Sequence, residues 1–107
     1  MLELMVLGKN KELNIDNNKV DLIEFADKLL EETVEVINAI HQYRNSKGSK
    51  EHVAEEVLDA MQICVGALNK LHMEDLDIQE AVHRNNKKLI HRGWEPKAVI
   101  KIQVNKS

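Results

Sequence analysis

The sequence predicts an all-α fold, a helical bundle of three main helices with short tails of extended character, completed by oligomerisation. Two stretches of more than twenty residues carry apolar side chains at helical spacing. A third, shorter stretch ends at Gly93 with Pro96 soon after, and the two connections between stretches are short and rich in turn residues. With 107 residues the chain is expected to be a single domain, 1–107, with its core at about 19–94. A domain of this size buries a limited share of its surface, so a second copy is expected to complete it.

The first helix is expected to begin after Asp16-Asn17-Asn18, any of which can cap free backbone N–H groups, and to run to about Tyr43. Leu22, Phe25, Ala26, Leu29, Thr33, Val36, Ile37 and Ile40 gather on one broad stripe of it. Glu32 borders that stripe, Glu35 lies further round, and Glu31 points outward. The turn signals of Arg44 to Lys50 lead into a second helix from about Ser49 to Leu71. Its stripe is Val53, Val57, Ala60, Met61, Cys64, Ala67, Leu68 and Leu71, with Leu58 and Val65 on another side, more apolar surface than one partner helix covers. The third helix is expected from Asp75 or Asp77 to about Arg92, where Gly93 stops it. Leu2 to Val6 and Ala98 to Val104 alternate with a two-residue period and could pair as a marginal ribbon of structural use only.

Composition excludes several classes of function. A formal net charge of −3 and a pI near 5.9 lack the basic face of a nucleic-acid binder. No apolar run approaches membrane-spanning length, and Met1 to Leu7 is too short and lacks the basic start of a signal peptide. A lone cysteine, Cys64, suits a reducing compartment. A soluble, cytoplasmic protein without nucleic-acid or membrane partners is expected. The glycines are isolated, so no glycine-rich phosphate loop exists. His41, His52, His72, His83 and His91 are scattered without metal-like spacing and read as surface or packing residues. With Phe25, Tyr43 and Trp94 the only aromatic residues, base stacking has no obvious platform.

Chemistry concentrates in two acidic stretches. Residues three apart on a helix share a face, so Glu32 with Glu35 and Glu56 with Asp59 each form a two-carboxylate claw. An antiparallel pair of helices can bring the claws together, and clustered carboxylates repel unless protons or a hard cation such as Mg²⁺ compensates them. Glu56 lies within the apolar arc of its helix, where an ionised group must neutralise, pair or bind a metal. The competing reading is a solvated acidic surface. On the third helix Arg84, Lys87, Lys88, His91 and Arg92 form the most basic segment. Lys88 and Arg92 share a face and could clamp phosphate beside Asn85 or Asn86, although cations near a helix C-terminus also suit the macrodipole.

Glu31-Glu32-x-x-Glu35, twenty intervening residues, Glu56-x-x-Asp59, then Asn86-x-Lys88-x-x-x-Arg92 resembles the signature of the MazG-type all-α nucleoside triphosphate pyrophosphohydrolases, over roughly residues 20 to 94. The resemblance implies a MazG-like fold and Mg²⁺-dependent hydrolysis of the α–β linkage of a nucleoside triphosphate to monophosphate and pyrophosphate, with Mn²⁺ as a substitute ion. It implies Glu32, Glu35, Glu56 and Asp59 as metal ligands, Glu31 in a supporting or water-orienting role, and Asn86, Lys88 and Arg92 on the phosphates. Wheel geometry places Asn85 beside Lys88 and Arg92 whereas the motif match gives Asn86; both stay open, with Asn86 preferred. A homodimer or homotetramer and a role in nucleotide-pool house-cleaning are further implications. Two other classes compete: a catalytically silent helical interaction module, and a carboxylate-bridged di-iron protein suggested by Glu80-x-x-His83.

Overall fold

The computed structural model describes residues 4–100. In chain order they form β1 (Lys9–Asn10), β2 (Ile15–Asp16), α1 (Leu22–Arg44), α2 (Lys50–Met73) and α3 (Ile78–His91). The all-α expectation holds.

The caps explain the helix boundaries. Asp21, not the earlier Asp16-Asn17-Asn18 cluster, caps α1, its Oδ1 accepting from the backbone N–H of Leu22 at 2.6 Å. The earlier residues are occupied elsewhere. Asp16 pairs with Lys9 across the two-stranded antiparallel ribbon, and the Asn17 backbone and side-chain N–H groups donate to the carbonyls of Gly8 and Leu7. Ser49 Oγ and Asp77 Oδ1 each accept from the backbone N–H three residues on, those of His52 and Glu80, which opens α2 and α3.

All three helices close the same way. The residue after each cap has positive φ, Ser46 at 58°, Asp75 at 71° and Gly93 at 94°. The next N–H reaches back five residues, Lys47 to Gln42, Leu76 to Leu71 and Trp94 to Leu89. The turn signals read in the sequence are thus true helix stops.

The ribbon differs from expectation. It is built from the polar run Lys9 to Asp16, where Asn10 Oδ1 accepts from the Leu13 N–H and Asn14 takes positive φ. Leu4 to Val6 and Ala98 to Ile100 have no strand structure, and the remaining residues of the proposed tail pairing lie outside the described residues.

Extensive helix packing is confined to α1 against α2. The buried or half-buried positions of α1 are Leu22, Phe25, Leu29, Glu32, Val36 and Ala39, with Lys28 beside them, and those of α2 include the series Val53, Glu56, Ala60, Ile63 and Ala67, joined in its C-terminal half by Gln62, Val65, Gly66, Asn69, Lys70 and Leu71. Both series alternate steps of three and four, the spacing of a two-helix seam. This corrects the broad stripes expected from the wheel: Thr33, Ile37 and Ile40 of α1 and Val57, Met61, Cys64 and Leu68 of α2 are exposed. One neighbour covers a narrow seam, so the rest of each apolar surface faces outward. Glu32 and Glu56 consequently occupy the seam itself.

At one end of the seam Phe25, 4% exposed, lies flat against α2 at Gly66. A Cβ on Gly66 would stand 2.7 Å from Phe25 Cε1, and Lys28 Nζ covers the ring at 5.9 Å from its centroid. This contact fixes the axial register of the hairpin.

The third helix stands largely apart, with Val82, Leu89 and Ile90 exposed. The radius of gyration is accordingly 16.0 Å, against about 13 Å for a compact chain of this length.

Replacing Gly66 by Ala gains about 1 kcal/mol of helix propensity but must displace the Phe25 ring. Gly66→Ala is therefore expected to lower the urea midpoint, with a net loss of about 1–2 kcal/mol. An unchanged or raised midpoint would show that the ring does not set the register.

Candidate metal centre

Because Glu32 and Glu56 sit on the seam and Glu35 is one turn from Glu32, the hairpin brings three carboxylates together. One oxygen each from Glu32, Glu35 and Glu56 lie within 4.8 Å of one another. Among the described residues this is the one acidic group with such geometry. The Glu32 and Glu56 side chains are half-buried and Glu35 is exposed, so the cluster opens to solvent on one side.

Its electrostatics are unfavourable as it stands. Burial pushes the Glu32 carboxyl above its ordinary value of 4.5, and the negative charges of Glu35, Asp59 and Glu56 add to the shift. Glu56 is also raised, first by burial, then by a hydrogen bond with Glu35 and by that residue's charge, while His52 opposes the rise. Glu32 Oε2 and Glu56 Oε2 are buried without any hydrogen-bond partner. Unpartnered buried anionic oxygens are costly, and oxygen-only donors at this spacing suit a hard divalent cation. The residues present fit such an ion.

The other expected site residues divide. Asp59 is exposed and outside the three-oxygen group, although its charge is felt by both Glu32 and Glu56. Glu31 is exposed on α1. On α3, Asn85 and Lys88 line an open groove of about 550 Å³ with Arg84 and Asp77, and Asn86 is not part of it. The wheel argument for Asn85 matches this arrangement. Arg92 is the C-cap of α3. These cations are not packed against the carboxylates within one chain, since α3 makes little contact with the hairpin. Glu80 pairs with Arg84 at 3.5 Å and takes no part in the acidic group, which leaves the di-iron reading without a convergent site.

Sequence reasoning passed over His52 as a surface or packing residue. Its Nε2 is 3.8 Å from Glu56 Oε1 and its Nδ1 is 4.0 Å from Glu55 Oε2. The i,i+4 spacing to Glu56 was the available signal.

A two-helix seam carrying a convergent group of three carboxylates, two of them with a buried unpartnered oxygen, defines an all-α protein with a clustered acidic site. The model of the MazG nucleotide pyrophosphohydrolase domain matches residues 22–95, and the chain belongs to that family. No curated protein and no solved structure matches the chain. Among the described residues, no helix is long and apolar enough to cross a membrane.

The raised carboxyls give stability a definite pH dependence. A group whose folded pKa exceeds its unfolded value binds protons better when folded, so its contribution is complete below 4.5 and is lost as pH rises through the raised value. In chelator, the metal-free protein is expected to gain stability as pH falls from neutral to about 5, and Glu56→Gln should flatten that gain. Urea midpoints measured across this range check it; a wild-type midpoint that falls throughout would contradict the raised carboxyls.

Proposed function

We propose that this protein is a Mg²⁺-dependent nucleoside triphosphate pyrophosphohydrolase, cleaving the α–β linkage to yield a nucleoside monophosphate and pyrophosphate. The observation that carries the reading is the pair of buried, unpartnered oxygens Glu32 Oε2 and Glu56 Oε2 in a three-carboxylate group spanning two helices. Membership of the MazG family supports the reaction class.

Glu32, Glu35 and Glu56 would hold the ion, with Asp59 supplying further negative charge beside them. When bound, Mg²⁺ supplies neutralisation of phosphate charge and acidification of a coordinated water. The protein's own part is positioning. Phosphoryl displacement needs bound phosphates and an aligned water rather than a covalent enzyme intermediate. Glu31, exposed on α1 and four residues from Glu35, is assigned to orient that water and take up its proton. Lys88 with Asn85 or Asn86, and Arg92, are assigned to the phosphates, where cationic and amide donors match anionic oxygens. The water oxygen bonds to the α-phosphorus and stays with the monophosphate, while the bond from that phosphorus to the α–β bridging oxygen breaks and pyrophosphate departs with the bridging oxygen.

The exposed apolar surfaces of α1, α2 and α3 support assembly into a homodimer or homotetramer, which would cover Val34, Ile37, Val57, Met61, Leu89 and Ile90. A single domain over 1–107, a cytoplasmic location and nucleotide-pool house-cleaning complete the proposal. These same exposed surfaces also favour the second reading, a catalytically silent interaction module.

Pyrophosphate release from a panel of canonical and modified nucleoside triphosphates separates the two readings. Release is expected only with Mg²⁺, and Glu56→Gln should lower it by at least about 10²-fold with helical content retained. Lys88→Ala should raise KM several-fold with little change in kcat. Cation-independent release, or full activity in Glu56→Gln, would overturn the assignment.

A further inference from the structure

The cation site proposed above depends on Glu56 offering one particular oxygen to the cluster, and its two oxygens have different surroundings. Oε1 faces the His52 ring, whose Nε2 is 3.8 Å away, whereas Oε2 is buried without a partner. The ring itself is held between two carboxylates. Its Nδ1 lies 4.0 Å from Glu55 Oε2, on a side chain 77% exposed, while Glu56 on the other side is only 16% exposed. At 3.8 and 4.0 Å these are ion-pair distances, longer than hydrogen bonds, and they place the ring beside Glu56.

The position of His52 is not explained by helix formation. It sits in the first turn of α2, where the macrodipole disfavours positive charge. Its backbone N–H donates to Ser49 Oγ, a capping bond that any side chain at position 52 would leave intact. With the side chain 47% exposed, burial of the ring adds little either. What the ring does contact is Oε1 of a seam carboxylate.

We propose that His52 is a positioning residue for Glu56: by contacting Oε1 it holds the carboxylate in the orientation in which Glu56 joins Glu32 and Glu35, and so raises the protein's affinity for a divalent cation. Partners that orient metal-ligating carboxylates commonly matter tenfold or more for metal affinity. The inference rests on the proposed cation site and adds to it a residue outside the three-carboxylate group.

Simple electrostatics predicts the opposite sign. Removing a ring able to carry positive charge from beside the site would favour cation binding, whereas removing an orienting contact weakens it.

Calorimetric titration of the full chain with MgCl₂, in wild type, His52→Ala and His52→Gln, tests this directly. His52→Ala is expected to raise the Mg²⁺ Kd about tenfold. His52→Gln, which keeps an N–H donor able to reach four residues along the helix, should stay within about threefold of wild type. Melting in chelator separates out a merely structural role, which would lower the metal-free midpoint of His52→Ala and leave the Kd alone. Unchanged or tighter Mg²⁺ binding in His52→Ala, with wild type binding normally, overturns the positioning role and leaves the cation site standing. Absence of Mg²⁺ binding in wild type overturns both.

Discussion

Mutual repulsion of three carboxylates held in a helix–helix seam is the constraint on which the rest of the structure turns. An all-apolar seam would be the cheaper way to join α1 and α2. Instead, one layer of the hairpin is made of Glu32 and Glu56, half-buried, with Glu35 at the edge. Burial and like charge both oppose ionisation there, and two of the oxygens have no partner. The hairpin tolerates this layer because apolar layers flank it. Phe25 locked against Gly66 lies toward one end, and Val36, Ala39 and Val53 lie toward the other. Packing thus supplies the stability that the acidic layer costs, and a cation would convert that layer from a liability into a cross-link between helices.

The same economy leaves the hairpin incomplete. A seam with steps of three and four uses only a narrow strip of each helix, so large apolar side chains remain outside it. The third helix, amphipathic and carrying the cationic residues of the proposed phosphate contacts, is tethered by the Asp75–Leu76–Asp77 connection rather than packed. Well-formed stops at Ser46, Asp75 and Gly93 define where each helix ends, and leave assembly to the faces between them.

Much of this was legible from the residues. The three helices, Asp77 as one of two candidate starts of the third, and the stop at Gly93 follow from local chemistry, which is why they could be read in order along the chain. The acidic spacing pointed to four carboxylates, Glu32, Glu35, Glu56 and Asp59, of which the first three converge. What was not legible depended on a choice between overlapping stripes. A wheel shows that Glu32 borders Leu29 and Val36, but only the partner helix decides that the seam runs through Glu32 rather than through Thr33 and Ile37. Asp59 shares a face with Glu56 in sequence, yet lies outside the group of converging oxygens because the seam passes through Glu56 and Ala60. The ribbon was missed because Asn10, Asn14 and Asn17 fold it through side-chain and left-handed turn chemistry rather than through apolar alternation.

The central claim is that the seam carboxylates are a cation site. Its most direct test is the melting temperature at neutral pH as a function of Mg²⁺ concentration, in wild type and in Glu32→Gln. Binding to the folded state alone must raise the midpoint in step with the logarithm of cation concentration above Kd. The account predicts that rise in wild type and its loss in Glu32→Gln, which should start from an equal or higher metal-free midpoint because one repelling charge is gone. A wild-type midpoint indifferent to Mg²⁺ would contradict the account and return the three carboxylates to the role of an acidic surface.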